Sequence, residues 1–186
     1  MNATQFPAGL NDNQFEIFEV EGRTFALNNG KRLSYEEFPE ALLTLIDNII
    51  VSSPKVIAAL NKLNIRCPHE RRKQFIKCNL SNFDYTADIS ACMKKIVTEY
   101  VSCPVRGNCE YEGKLCTGIS APNGKVSLRE LRIMGLIRNG FYDKEICDTL
   151  NIALDTLKTT KKNIQRKFRI QRKAMIASVA TINQIF

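Results

Sequence analysis

The sequence lacks most of the features on which enzymes and membrane proteins depend. It contains a single histidine, His69, so any Cys–His or Ser–His machinery would depend on that one residue. The nearest candidate nucleophile–base pair is Cys67 with His69, and a separation of two residues makes it a weak signal of a catalytic site. No apolar run reaches the length of a membrane span, no phosphate-binding loop is found in the first 32 residues, and the N-terminus has no secretory pattern. We therefore expect a soluble, cytoplasmic protein that is not an enzyme.

The first 123 residues also lack a net charge. From Gly124 onward the chain carries 13 lysines and arginines against 5 aspartates and glutamates, which equals the formal net charge of +8 of the whole chain. The basic character thus belongs to the C-terminal part alone, as the electrostatic footprint of a nucleic-acid-binding domain requires. We predict two domains, residues 1–123 and 124–186, with nucleic acid as the partner of the second.

The basic part of the chain has the pattern of short helices in series. Ser127 and Glu130 form a capping box, and the apolar stripe that follows stops at Asn139–Gly140, which is typical of a helix C-terminus. Asp143 is expected to cap a second, short helix, and Asn151–Ala153 forms a tight turn before a third. Two helices joined by so short a turn indicate a helix-turn-helix.

The third helix is apolar on one face and basic on the other. Its apolar contacts come from Leu157, Ile164 and Phe168, with Lys161 on the same side. The opposite face carries Thr159 and four basic residues: Lys158, Lys162, Arg166 and Arg169. A charge run alone would indicate only a solvated face. In a helix-turn-helix the same pattern predicts a helix that packs on its own domain and enters a DNA major groove.

At these residues the last third of the chain resembles the LuxR/GerE-type helix-turn-helix domain. The matching positions run in register without a gap: Ser127, Arg129-Glu130, Leu136-Ile137, Gly140, Asp143-Lys144-Glu145-Ile146, Leu150, Ile152, Thr156-Leu157-Lys158, Asn163-Ile164, Lys167-Phe168, Arg172 and Ala174. The chain departs from the family pattern at Ala153 (usually a capping serine), Thr160 (often histidine) and Cys147 (usually alanine). The missing cap should cost about 1 kcal/mol of helix stability.

The resemblance implies a four-helix domain and a transcription regulator that binds double-stranded DNA, usually as a homodimer. It implies that Lys158, Thr159 and Lys162 face base edges. The residues that it implies as phosphate contacts are Ser127, Lys144, Lys161, Arg166 and Lys167. The helix from about Arg172 to Ile182 would form the dimer contact. A phosphorylated receiver domain is not expected in residues 1–123, because they lack alternating strands and helices.

The N-terminal domain is expected to be mostly helical, which makes the fold mainly α. Alternating apolar residues before and after Glu21–Gly22 predict a short β-hairpin. A capping box at Ser34–Glu37 predicts a helix over Phe38–Val51, and Pro54 begins another. Asp84 is expected to cap a helix over Tyr85–Tyr100. We interpret the apolar surface of Phe38–Val51 as core, with a dimer seam as the alternative.

The chain contains seven cysteines, six of them between Cys67 and Cys116. An odd number in a cytoplasmic protein argues against a disulfide framework. The segment from Ser102 to Asn123 contains glycines and prolines and few large apolar residues, so we predict that a metal stabilises it, with zinc favoured over an iron–sulfur cluster. The predicted ligands are Cys78, Cys103, Cys109 and Cys116. The alternative is a set of buried thiols without a metal.

The function predicted from these features is sequence-specific, double-stranded DNA binding in transcription regulation. Two alternatives stay open. In the first, the cysteines make the protein a metal- or redox-sensing module whose output is DNA binding. In the second, the chain is a structural component of a nucleoprotein complex with little base preference.

Overall fold

The computed structural model describes residues 6–106, 108–183 and 185, and the fold is mainly α, as predicted. The chain divides into two compact units. The first comprises the residues up to Val101 together with Lys114–Thr117, and the second comprises Ser102–Gly113 and the chain from Gly118 onward. The predicted boundary after residue 123 lies within the second unit, and the independent folding of residues 124–186 stays a prediction.

The first unit begins with a three-stranded antiparallel meander. Strand β1 (Glu16–Val20) pairs with β2 (Arg23–Asn28), which pairs with β3 (Lys31–Ser34). The predicted hairpin is therefore confirmed, and the third strand was not expected. Both connections are two-residue turns with positive φ, Glu21–Gly22 (52° and 74°) and Asn29–Gly30 (48° and 73°). Turns of this type match the right-handed twist of the strands that they join.

Three helices follow: α1 (Glu40–Ser52), α2 (Pro54–Lys62) and α3 (Pro68–Asn79). The Ser34–Glu37 box closes a 3-10 turn (Tyr35–Glu37) rather than α1, since the Glu37 carboxylate accepts hydrogen bonds from the Ser34 N–H and Oγ, both at 2.7 Å. Helix α1 thus begins two residues later than predicted. It packs against α2 and α3 and buries three residues at four-residue spacing: Leu42, Ile46 and Ile50. This burial supports the interpretation of its apolar face as core.

No single helix in the described residues is long and apolar enough to span a membrane. Helices α1 and α2 reach the length and apolar composition of a membrane span only when they are counted together, across the 92° bend between them.

The predicted helix over Tyr85–Tyr100 is wrong. This segment is irregular and runs along the free edge of β1, where Phe15 and Ile89 exchange backbone hydrogen bonds of 3.0 and 3.1 Å. Ile89 also forms a bridge with Ile96 across a turn in which Met93 has a φ of 51°. The segment therefore covers a strand edge that would otherwise be open to pairing with other chains.

Carboxylates attach this segment to β1. Asp88, which is 3% exposed, accepts a hydrogen bond from the Ile17 N–H at 2.7 Å. Glu16, which is 1% exposed, accepts one from the Asp84 N–H at 2.7 Å. Desolvation by burial raises the pKa of Glu16 to about 8 and that of Asp88 to about 9, and repulsion by nearby carboxylates, including Glu99, adds to both shifts. Both side chains are therefore protonated in the folded protein at neutral pH.

A buried asparagine at the end of α3 fixes the segment Lys114–Thr117. The Nδ2 of Asn79 donates to the carbonyl oxygens of Phe75 (2.9 Å) and Leu115 (3.0 Å). Its Oδ1 accepts from the Thr117 N–H (2.9 Å) and hydroxyl (3.2 Å). One side chain that is 2% exposed thus satisfies groups 36 and 38 residues downstream.

Asn79→Ala should lower the free energy of unfolding by about 3 kcal/mol, because it removes four hydrogen bonds made by one buried side chain. Chemical denaturation of the full chain measures this loss. Asn82→Ala is the matched control, since the half-buried Asn82 side chain hydrogen-bonds the Tyr100 carbonyl oxygen at 2.9 Å and the partly buried Glu99 carboxylate. It should cost about 1 kcal/mol. Equal losses in the two variants would contradict this role of Asn79.

The second unit combines an irregular segment, a short hairpin and four helices. In the irregular segment, Arg106 and Glu112 form an ion pair at 3.2 Å with side chains only 4% and 3% exposed. The hairpin consists of β4 (Ser120–Ala121) and β5 (Gly124–Lys125). The helices are α4 (Leu128–Arg138), α5 (Asp143–Leu150), α6 (Leu154–Phe168) and α7 (Met175–Ile182). Helix α4 packs against each of the other three.

Candidate nucleic-acid interface

Three helices of the second unit, α4 to α6, begin and end almost where the capping and turn residues in the sequence predict. The Ser127 Oγ accepts from the Glu130 N–H at 3.3 Å while the Glu130 carboxylate accepts from the Ser127 N–H at 2.7 Å, which confirms the capping box. Helix α5 begins at Asp143, but its cap is Tyr142, whose N–H donates to the Glu145 carboxylate at 2.7 Å. Asn151 turns the chain with a φ of 49° before α6. The helix-turn-helix is confirmed.

Helix α6 has one buried and one exposed face. Leu157 and Ile164 are fully buried. The three predicted base-facing residues lie together on the exposed side: Lys158, Thr159 and Lys162. Lys158 donates to Asp155 at 3.2 Å, but the Asp155 side chain is 93% exposed. A pair so exposed contributes little free energy, so Lys158 can exchange it for a contact to DNA.

Lys161 lies on the buried side of α6 and is itself only 8% exposed. Its ammonium group forms an ion pair with Asp143 at the start of α5, and the pair joins the two helices of the motif. A contact to phosphate would require this pair to break and the side chain to leave the core. The phase of the helix turns Lys161 away from the exposed face, and its phosphate role stays a prediction.

Lys167 is also held inside the domain. Its Nζ donates to the Glu130 carboxylate and to the Lys125 carbonyl oxygen, both at 2.7 Å. Burial alone would raise the pKa of Glu130, but the hydrogen bonds from Lys167 and Ser127 outweigh it and the pKa is lowered. Lys167 thus completes the capping box of α4, and the predicted phosphate role would require it to leave a buried carboxylate.

Lys167→Met should lower the free energy of unfolding by about 2–3 kcal/mol at neutral pH, since it leaves the buried Glu130 charge without a cation. Because the folded pKa of Glu130 is lowered, this stabilisation is present above its ordinary value of 4.5 and is lost as the pH falls through the lower folded value. Thermal unfolding at pH 7 and at acidic pH measures both effects. Lys144→Met, at an exposed position on α5, is the control. A Lys167→Met protein as stable as wild type at pH 7 would contradict this account.

The other predicted phosphate contacts remain on the surface: Ser127, Lys144 and Arg166. Ser127 serves as the cap of α4, and its exposed position leaves its hydroxyl accessible. These residues and the exposed face of α6 form one set of polar and basic groups within the second unit. We call the whole set the basic face: Ser127, Lys144, Lys158, Thr159, Lys162 and Arg166.

One residue that contacts the C-terminal end of α6 was not singled out from the sequence. Asn123, in the turn between β4 and β5, donates from its N–H to the Lys167 carbonyl oxygen at 2.9 Å. Its Nδ2 donates to the Arg166 carbonyl oxygen, also at 2.9 Å. The tripeptide Pro122–Gly124 signals a turn, but no local pattern identifies a partner 43 residues away.

The structure does not gather the predicted metal ligands into a site. Within residues 6–106, 108–183 and 185, no group of three or more His, Cys, Asp or Glu side chains is placed to hold a metal ion. The four thiols are half-buried, with Cys78 and Cys116 in the first unit and Cys103 and Cys109 in the second. The Arg106–Glu112 pair and Asn79 order part of the segment for which a metal was invoked. Zinc stays a prediction, which elemental analysis of protein purified without added metal tests.

Comparison with known proteins finds a family match for the helical part of the second unit. Residues 125–180 match the GerE family, described as bacterial regulatory proteins of the luxR family, and this match covers α4 to α6 and most of α7. No curated protein and no solved structure matches the chain. The family is one of DNA-binding regulators rather than enzymes. Residues 125–180 therefore match a helix-turn-helix domain of the luxR type, and this match supports double-stranded DNA binding in transcription regulation.

Proposed function

We propose that the protein is a sequence-specific transcription regulator that inserts α6 into the DNA major groove. The observation that carries the proposal is the division of α6 into a buried apolar side and an exposed side with Lys158, Thr159 and Lys162. An α-helix about 10–12 Å across fits a major groove about 12 Å wide. Lysines on the exposed side then reach guanine O6 and N7, and Thr159 can contact a base edge or a thymine methyl group.

The phosphate contacts in this proposal come from the exposed residues of the basic face. All three lie outside the apolar core: Ser127 at the start of α4, Lys144 on α5 and Arg166 on α6. Contacts of this kind fix the register of a protein on DNA and add salt dependence without reading sequence. We leave Lys161 and Lys167 out of this group, because each is bound to a carboxylate within the domain.

Selection of bound sites from a random pool of duplex DNA tests the proposal directly. The full chain should enrich a defined motif and bind it about a thousandfold or more tightly than random duplex at the same salt concentration. Enrichment without any consensus, with affinity set by salt alone, would contradict base reading. That result would favour the nucleoprotein structural component instead.

We also propose that the protein binds its site as a homodimer through α7. Ile176 and Ala180 pack inward, whereas Met175 and Ile182 are 43% and 79% exposed. Large apolar residues on the outer side of a short helix suit a self-complementary two-fold contact. The footprint should then be two-fold symmetric, and Ile182→Asp should shift the protein towards monomer and half-site binding. An asymmetric footprint occupied by one chain would contradict the dimer.

A further inference from the structure

A hairpin that lies almost wholly before the family match is bound to the C-terminal end of α6. Strands β4 and β5 pair Ser120 with Lys125 and Ala121 with Gly124, which leaves Pro122 and Asn123 as the turn. The backbone and side chain of Asn123 donate to carbonyl oxygens in the last turn of α6, as described above. The hairpin therefore adds donors to a helix end, where the Arg166 carbonyl oxygen also accepts a long hydrogen bond from the Arg169 N–H at 3.4 Å.

The same asparagine binds the residue that ends α6. The Arg169 guanidinium donates from Nε and Nη2 to the Asn123 Oδ1, at 3.2 and 3.1 Å. Arg169 has a φ of 56° and a ψ of 37°, the left-handed conformation in which helices most often place glycine. Any side chain is strained here relative to glycine, so the backbone does not account for an arginine at this position. The contact with Asn123 gives its side chain a defined place.

We infer that Asn123 is a positioning residue that holds the Arg169 guanidinium at the end of the basic face as a further contact to DNA phosphate. The inference rests on the proposed placement of α6 in the major groove. Asn123 occupies the Nε–Nη2 edge of the guanidinium, and Arg169 is exposed, so the Nη1 group can reach a phosphate oxygen. Arg166 lies three residues earlier, in the last turn of α6, and its carbonyl oxygen accepts from the Nδ2 of Asn123, so both arginines adjoin the same asparagine.

Electrostatics at the end of α6 favour this arrangement. The C-terminus of a helix carries a partial negative charge, which would repel a phosphate backbone. Asn123 provides two N–H donors to the carbonyl groups of Arg166 and Lys167. Arg169 adds a full positive charge at the same place. The clamp formed by Asn123 and Arg169 thus makes a repulsive helix end attractive to phosphate.

The test separates stability from DNA binding, and it uses the full chain with both the selected site and random-sequence duplex. Arg169→Gly should leave the melting temperature unchanged or higher, because glycine adopts the left-handed conformation without strain. The same variant should bind both DNAs about fivefold more weakly and flatten the slope of log K against log salt by about one unit. Asn123→Ala should give a similar loss of affinity and slope, and it should add little to Arg169→Gly.

Ser120→Ala, at an exposed uncharged position on the same hairpin, is the control and should change neither slope nor affinity. An Arg169→Gly protein with the wild-type salt slope would overturn the inference. So would an Asn123→Ala substitution that weakens DNA binding as much in the Arg169→Gly variant as in the wild-type chain. Failure of the proposed function gives a different result. In that case Lys162→Ala would bind the selected site like wild type, whatever the clamp variants do.

Discussion

Lys158→Ala and Lys162→Ala should each weaken binding to the selected DNA site by about 1–3 kcal/mol while leaving the fold intact. Both side chains are exposed on α6, on the side opposite the fully buried Leu157 and Ile164. Losing a base contact removes discrimination at one position, so the variants should also accept more bases there. Affinity for the selected site and for its single-base variants, at one salt concentration, measures both effects.

The neighbouring lysine provides the matched control. Lys161 directly precedes Lys162 in α6, but it is buried and paired with Asp143 on α5. Lys161→Met should lower the free energy of unfolding by about 1–2 kcal/mol, because the pair between α5 and α6 is lost. Under conditions where the variant is folded, its affinity should remain close to that of wild type. If Lys161→Met lost base discrimination and Lys162→Ala kept it, the orientation of α6 in the groove would be wrong.

The first unit should become less stable as the pH rises from about 5 to 9. The folded pKa values of Glu16 (about 8) and Asp88 (about 9) lie above their ordinary values of 4.5 and 3.8. Between the ordinary and the folded value, the folded state binds a proton that the unfolded state has released. The stabilisation from each group is therefore greatest at low pH, and it is lost progressively as the pH rises through the folded value.

Asp88→Asn isolates one of these groups. The amide keeps an oxygen that can accept the Ile17 N–H, and it cannot ionise. The melting temperature of the variant should match that of wild type near pH 5 and exceed it increasingly as the pH rises to 8. Glu21→Gln, in the exposed turn after β1, is the control and should give no such trend. A constant difference between Asp88→Asn and wild type across this range would contradict the protonated state.

The sequence predicted the helix-turn-helix well, because its signals are local. The Ser127–Glu130 box, the Asn139–Gly140 stop and the three-residue turn after α5 each act within a few residues of the chain. Helical periodicity also placed Lys161 on the apolar side of α6. The family resemblance implies a phosphate contact for Lys161 as well, and that role stays a prediction beside the ion pair with Asp143.

Elsewhere the decisive contacts are distant in sequence, and local patterns could not reveal them. Ile89 and Ile96 fit a helical period equally well, yet they form a bridge with each other, and Ile89 hydrogen-bonds to a residue of the β1 edge. Asn79 orders a segment more than 30 residues later, in a region where the sequence indicated only a shortage of apolar residues. That shortage led to the predicted metal site. Polar hydrogen bonds and the buried Arg106–Glu112 ion pair supply much of the missing order.

The central claim is that α6 reads bases from the major groove. Methylation interference on the selected site tests it most directly, because dimethyl sulfate modifies guanine N7 in the major groove and adenine N3 in the minor groove. Guanine N7 methylation within each half-site should abolish binding of the wild-type chain, and Lys162→Ala should lose the interference at one of those guanines. Interference confined to adenine N3, or none at any guanine of the site, would contradict the claim.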